Sequence, residues 1–461
     1  MVFSSPVFLF LFLPLVLLGY ALVPHKFRNL ALLAASLVFY IWGERRFFPV
    51  IFAMVGLNQA VALSLARWPA RRRTALALGI GCSLLTLGVF KYTGFVCGII
   101  NQLLGLAHVA PLEPPEIPLP VGISFVTFHA ISYVVDVARG DSSAQKSTAN
   151  AALYFLFFPQ LVAGPIIRYH DIAEQLDRRS TTSDDLVEGI RRFVIGLGKK
   201  ALLANMLAPC ADQVFGLPAS QVSMGLAWLG ALAYTGQIYF DFSGYSDMAI
   251  GLARMFGFRL RENFNYPYAG RSVQDFWRRW HISLSTWFRD YVYVPLGGNR
   301  RGRLRTYLNL LAIFLLCGLW HGPSWTFVVW GLYHGAFLVL ERIFREREWL
   351  VAPPGPLRRG LGHVYMLLVV VFGWVLFRAE TLDDALLRMA SMLGLRHAAS
   401  PAPIAAFATR ELWLALAFGA LGCLPLVAAA HRRWGSLGSP TGSMTKPGWT
   451  LAATFALALV F

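Results

Sequence analysis

The sequence predicts an all-α, polytopic integral membrane protein, and three observations carry that prediction. Of the 461 residues, 56% are hydrophobic and only 14% are charged, whereas an ordinary soluble domain carries about a quarter charged residues. Apolar runs recur near the ~20 residues that a helix needs to cross a bilayer. They are continuous rather than alternating, so helices and not barrel strands satisfy their backbone groups in lipid. The third observation is charge. A net +17 gathers in short segments between the runs, like the Lys and Arg excess of cytoplasmic loops. Nucleic-acid binding is the other reading of such basicity. It is set aside, because the clusters are brief, separated by spans and lack a module to present them. The lipid bilayer is the first expected partner.

Taken in order, residues 1–23 lack a charged leader and a small-residue cleavage site, so they read as an uncleaved first span. His25, Lys26 and Arg28 then place the next turn in the cytoplasm and the N-terminus outside. Runs at Asn29–Trp42 and Phe47–Ala66 follow. Arg45 and Arg46 between them oppose the positive-inside trend, so these runs form an interfacial hairpin or the orientation differs here. Arg67–Arg73 is the strongest cytoplasmic marker of this half. After an apolar stretch at 74–104, the Pro-rich segment 111–120 is expected to be non-helical. A span at Val121–Val137 carries His129. Pro159, Gly164 and Pro165 interrupt the next run, and 151–168 reads as a re-entrant segment. The polar stretch 171–192 is a loop or surface helix with Ser183 or Asp184 as N-cap. Further spans are expected at 193–209, 223–240, 324–343, 362–377 and 411–430, with a polar helix near 380–395. A basic turn at 431–434, a Gly/Ser/Pro-rich linker and Trp449 precede a final apolar stretch too short to cross a bilayer. That stretch reads as a half-helix or as part of a longer segment. No internal repeat stands out.

Between Gln274 and Trp325 the chain stops behaving like lipid-facing protein. Arg278, Arg279, His281, Arg289 and Asp290 sit among Trp and Tyr, and His321 lies between Trp320 and Gly322-Pro323. Ionisable groups at membrane depth persist where they pair, line a cavity or perform a function. Histidine suits general acid–base work near neutral pH. His321, at a helix break made by glycine and proline, is the candidate base. His281 is the second catalytic candidate, facing it across a hairpin whose turn is 297–305. His129 and His334 read as packed helix contacts, and the remaining histidines lie near loops and ends. Gln237, Asp241, Ser243 and Asp247 interrupt an apolar run and either line a cavity or tie helices together. With Asn265 of the NFNYPY box and Ser283 they join the substrate-binding candidates. Arg278, Arg279 and Arg289 suit phosphate groups or snorkelling anchors. Trp277, Trp280, Trp287 and Trp320 suit the bilayer interface or the core, and Trp280 and Trp320, beside the histidines, also count as substrate contacts. The five single cysteines form neither a disulfide framework nor a metal site. Cys317 lies one helical turn before His321 and reads as packing. No metal site is expected. On the residues alone, an enzyme and a proton-coupled transporter stand level.

A set of boxes in fixed order changes that balance. They are MVFSSPVFLFLFLPL, VGISFVTFHAISYVVDV, LVAGPI, YFDFSGYSDMAIG, NFNYPY, DFWRRWHISLSTWFRDYVYVPLGGNR and GLWHGPSWTFVVWGLYHG, spread from residue 1 to about residue 335. Together they resemble the membrane-bound O-acyltransferase family, and within it the bacterial branch that serves alginate O-acetylation. The resemblance implies a single domain over 1–461, with a catalytic core at about 120–345 and C-terminal helices at 346–461. It implies a ring of helices around a thin core and a tunnel. His321 matches the family's essential histidine, and His281 its second motif position. The implied activity is an acetyltransferase of the bacterial inner membrane. Acetyl would come from a cytoplasmic donor, acetyl-CoA, with no bound cofactor. It would go to periplasmic acetyltransferase partners that modify an exopolysaccharide. The rival readings are a non-catalytic conduit or transporter, and a scaffold for such partners.

Overall fold

The computed structural model describes residues 1–161, 163–347 and 355–426. Helix dominates, and no strand occurs among these residues. The N-terminal half holds α1 (Leu13–Leu22), α2 (Arg28–Gly43), α3 (Phe48–Arg67), α4 (Arg72–Leu106), α5 (Ile123–Arg139), α6 (Thr148–Leu156), α7 (Phe158–Leu161) and α8 (Tyr169–Asp177). Next come α9 (Ser183–Gly198), α10 (Asn205–Gly216), α11 (Met224–Met255), α12 (Val273–Arg279) and α13 (Ile282–Phe288). The last group is α14 (Arg303–His321), α15 (Trp325–Glu346), α16 (Pro356–Arg378), α17 (Leu382–Met392) and α18 (Arg410–Gly422). The basic turn at 431–434, the linker and the terminal apolar stretch lie outside the described residues.

Six helical stretches among the described residues are long and apolar enough to cross a membrane: α3, α4, the continuous Ser183–Gly216 helix, α14, α15 and α16. At about 1.5 Å per residue, the 35 residues of α4 run about 52 Å, well beyond a ~30 Å hydrocarbon core. The expected spans at 121–137 and 223–240 are helices enclosed within the protein. Nearly all of α5 is buried, and α11 is enclosed along most of its 32 residues. Enclosed helices need no uniform apolarity, so α11 carries YFDFSGYSDMAIG without a break.

The expected boundary near residue 193 is corrected. Helix starts at Ser183 and runs through a π-helical stretch, Lys199–Ala204, into α10. The N-cap is Thr182 rather than Ser183 or Asp184. Its side chain accepts from the Asp185 amide, while the Asp185 carboxylate accepts from the Thr182 amide, and this reciprocal pair outcompetes the neighbouring residues. The expected re-entrant segment is a broken, fully enclosed one. Residues 151–161 are all buried, and helix stops at Phe157 between α6 and α7. Its freed amides find side chains: Ser36 Oγ accepts from Phe158 N at 3.1 Å, and Ser283 Oγ from Ile166 N at 3.0 Å.

Two apolar clusters meet along α11. One gathers the N-terminal helices around Met248–Phe258, and the other gathers α10 to α16. To the second belongs the α14–α15 hairpin, whose backbones touch. A Cβ on Gly318 would run into the Phe327 carbonyl oxygen, and one on Gly331 into that of Phe314.

Asp136 of α5, fully buried, fastens the surrounding loops. It accepts from the Tyr291 hydroxyl at 2.6 Å and from the His170 amide and Nδ1, each at 2.9 Å. His170, on α8 outside the spans, is held above its ordinary range, chiefly by that bond to Asp136. A raised value means the bond stabilises fully below about pH 6.5, the free imidazole value, and that this contribution fades as pH rises through the folded value. Thermal unfolding of the detergent-solubilised protein should therefore separate wild type from His170→Gln most at pH 6 or below. The gap should narrow as pH rises toward 9.

Candidate active site

The site begins where α12 ends. Trp280 is extended and His281 takes a left-handed backbone, φ 45° and ψ 55°, before α13 starts. A side-chain-bearing residue held there costs about 1–3 kcal/mol and persists only where its surroundings fix it. Those surroundings are the NFNYPY box. Asn265 N donates to Arg279 O at 3.0 Å and Ile282 N to Asn263 O at 2.9 Å, pairing the two segments around the break. Asn263, fully buried, accepts at Oδ1 from Ser283 N (3.2 Å), Ser283 Oγ (2.9 Å) and His281 Nδ1 (3.0 Å). Its Nδ2 donates to Ser246 Oγ of α11 at 3.0 Å. His281 is 1% exposed, and its Nε2 is buried with no hydrogen-bond partner among the described residues.

His321 is the last residue of α14. Pro323 has no N–H, so the Leu319 carbonyl loses its usual partner four residues on. Helix α4 reaches across instead. The Tyr92 hydroxyl donates to Leu319 O at 2.7 Å, and Lys91 Nζ donates to Trp320 O. Lys91 also lies 5.8 Å from the Trp320 ring centroid. Around His321 stand Trp320, Phe377 and Trp330, at centroid distances of 4.7, 4.9 and 5.2 Å. Trp320 is the link between the histidines, with its centroid 6.2 Å from that of His281.

Two cavities of about 300 Å³ each meet these residues, at the lower end for small-molecule sites, so each suits one limb of a substrate. The first runs between α12–α13 and the α14–α15 hairpin. Its exposed end carries Arg278, Arg289, Arg342 and Arg345, and its buried end Cys317 and His281. The second is walled by aromatics, with Trp280, Trp320, both histidines and Asp241 among its lining. His281 belongs to both.

The other expected residues divide. Asp241 lines the second cavity and pairs with Lys200. Asp247 is a helix tie, bound to Arg192 at 2.7 Å and Lys199 at 2.6 Å. Arg279 pairs with Asp275 at 2.8 Å. Gln237 and Ser243 keep buried oxygens without partners but line neither cavity. Asn265 is corrected: it is exposed and takes part through its main chain, and Asn263 is the asparagine that meets His281. Nothing in the sequence distinguishes the two. Arg342 and Arg345 were missed although legible, since Leu338, Arg342 and Arg345 share one helical face. Lys91 was missed too, the one charge in α4 beyond its first turn.

A helical membrane protein in which His281 walls both an arginine-rimmed cavity and an aromatic one, the latter also lined by His321, has the parts of an intramembrane transferase. Residues 124–394 match the membrane-bound O-acyltransferase family. The chain is 49% identical over 395 residues to the "Probable alginate O-acetylase" of Azotobacter vinelandii, covering 85% of this chain and 78% of that one. It is 47% identical over 388 residues to the protein of the same name in Pseudomonas aeruginosa, covering 84% and 73%. It is 36% identical over 432 residues to the peptidoglycan O-acetyltransferase of Helicobacter pylori, covering 86% and 80%. This chain belongs to the membrane-bound O-acyltransferase family and is a multi-pass membrane O-acyltransferase.

Replacing Lys91 by Met, or Tyr92 by Phe, strips a buried helix-end carbonyl of its donor, at about 1–3 kcal/mol. Each variant should unfold at lower temperature than wild type. Unchanged melting would show that α4 does not hold the end of α14.

Proposed function

We propose that this protein moves an acetyl group from acetyl-CoA, on the cytoplasmic side of the inner membrane, to a hydroxyl acceptor on the opposite side, for O-acetylation of an exopolysaccharide such as alginate. The observation that carries this reading is that His281 walls both cavities while His321 belongs to the second alone. The arginine-rimmed cavity is the donor side. Guanidinium groups bind phosphate bidentately, and four arginines around one opening match a polyphosphorylated thioester. Positive charge also marks the cytoplasmic face. The aromatic cavity then receives the acceptor.

A thioester is already activated, so the protein positions it, removes the hydroxyl proton and steadies the developing oxyanion. In this reading His321 takes the proton, the hydroxyl oxygen bonds to the acetyl carbon, and the C–S bond breaks. The thiolate leaves with the bonding pair and takes the proton from the His321 imidazolium, which returns to its neutral form. His281 orients the substrate or steadies charge. The alginate-related names of the relatives support an exopolysaccharide destination, reached through periplasmic acetyltransferase partners.

The direct test compares acetyl ester on secreted polysaccharide in cells carrying wild type or His321→Ala at matched membrane levels. Ester should fall to background in the variant. Ester that survives would make the protein a conduit or scaffold. Separately, Arg342→Glu with Arg345→Glu should raise KM for acetyl-CoA by about tenfold or more, a cost of about 1.4 kcal/mol, with kcat little changed. Thioester consumption by protein in nanodiscs reads that effect, and an unchanged KM would remove these arginines from the donor site.

A further inference from the structure

Asn263 does more than brace a strained turn. Its Oδ1 is identified by chemistry as well as by fit, because the Ser283 amide, which only donates, points at that atom from 3.2 Å. Turning the amide over would set the Asn263 NH₂ against this N–H. Oδ1 is therefore an acceptor, and His281 Nδ1, 3.0 Å away, must carry the hydrogen. A neutral imidazole has one N–H. With that hydrogen on Nδ1, Nε2 is a bare lone pair. This is the ring atom that is buried without a partner, on a residue that walls both cavities.

We infer that Asn263 is a positioning residue that locks His281 in the Nδ1–H tautomer, so that Nε2 meets the substrate as a hydrogen-bond acceptor. The inference rests on the acyl-transfer reading and selects between the two roles that reading leaves to His281. An acceptor orients a substrate O–H or N–H; it cannot donate to the thioester oxygen while neutral. The backbone observations agree. His281 is one of three non-glycine residues at positive φ among those described, and Asn263 O and Oδ1 together bind the two amides after it, Ile282 N and Ser283 N. One buried side chain thus fixes the rotation, the tautomer and the main-chain turn of His281.

The test is nitrogen NMR of ¹⁵N-histidine-labelled protein in nanodiscs near neutral pH, with His281→Gln identifying the His281 signals. Nδ1 should resonate as protonated and Nε2 as bare. Asn263→Leu removes the acceptor and should let the hydrogen move to Nε2. Asn263→Asp keeps an acceptor for both His281 and Ser283, and its second oxygen can take a hydrogen bond from Ser246, so Nδ1 should stay protonated, with Nε2 bare once pH exceeds the His281 value that the carboxylate raises. In acetyl-transfer assays, kcat/KM should fall by about 10²-fold in Asn263→Leu, the scale of a mispositioned substrate, and recover substantially in Asn263→Asp above the pH at which His281 becomes neutral. A hydrogen on Nε2 in wild type overturns the inference. So does a tautomer that shifts in Asn263→Leu without loss of activity, or an Asn263→Asp protein that is folded, keeps the tautomer and is as inactive as Asn263→Leu. The NMR result does not depend on the reaction, so failure of the acyl-transfer reading would appear separately, as acetylation that ignores His321.

Discussion

The constraint on which this structure depends is that main chain leaving helical geometry inside a membrane must still find a partner for every N–H and C=O. Helix breaks three times near the site, at Phe157, at Trp280–His281 and at His321. Each break is met by a polar side chain from a distant part of the chain. Ser36 serves the first, Asn263 the second, and Tyr92 with Lys91 the third. Ser283 joins two of them, donating to Asn263 and accepting from Ile166. The polar residues of the interior are thus mostly the means by which backbone is bent, and the two histidines sit at the bends.

Charge is sorted by the same logic. Asp136 and Asp247 are buried and fully engaged, because an unpaired carboxylate there would be costly. Arginine collects instead at the open end of one cavity, where the side chains stay hydrated. Asp241 is intermediate, paired with Lys200 yet on the wall of the second cavity. Two anionic groups about 1.7 helical turns apart on α11 therefore have different surroundings.

Much of this was legible in the sequence. Continuous apolar runs gave most helices to within a few residues, and the rarity of ionisable groups at membrane depth pointed to His281 and His321. Their meeting at one cavity was legible only as a pairing across a hairpin. What stayed hidden was enclosure. A run such as 123–139 reads as a lipid-facing span whether lipid or protein surrounds it, and only packing made it interior. Asn263 and Asn265 share one box and one chemistry, and a main-chain pairing invisible to spacing chose between them. Lys91 was visible but unused, since its role depends on a proline 232 positions later.

The touching backbones of α14 and α15 have a mechanical meaning. With carbonyl oxygens where any Cβ would go at Gly318 and Gly331, the two helices have no slack between them. His321, at the tip of this pair, rides on a stiff post. Spreading the post would break contacts along its length. The facing wall is made differently, since α16 brings the side chains of Trp374 and Phe377 to the aromatic cavity. His321 is thus anchored on one side of the aromatic cavity.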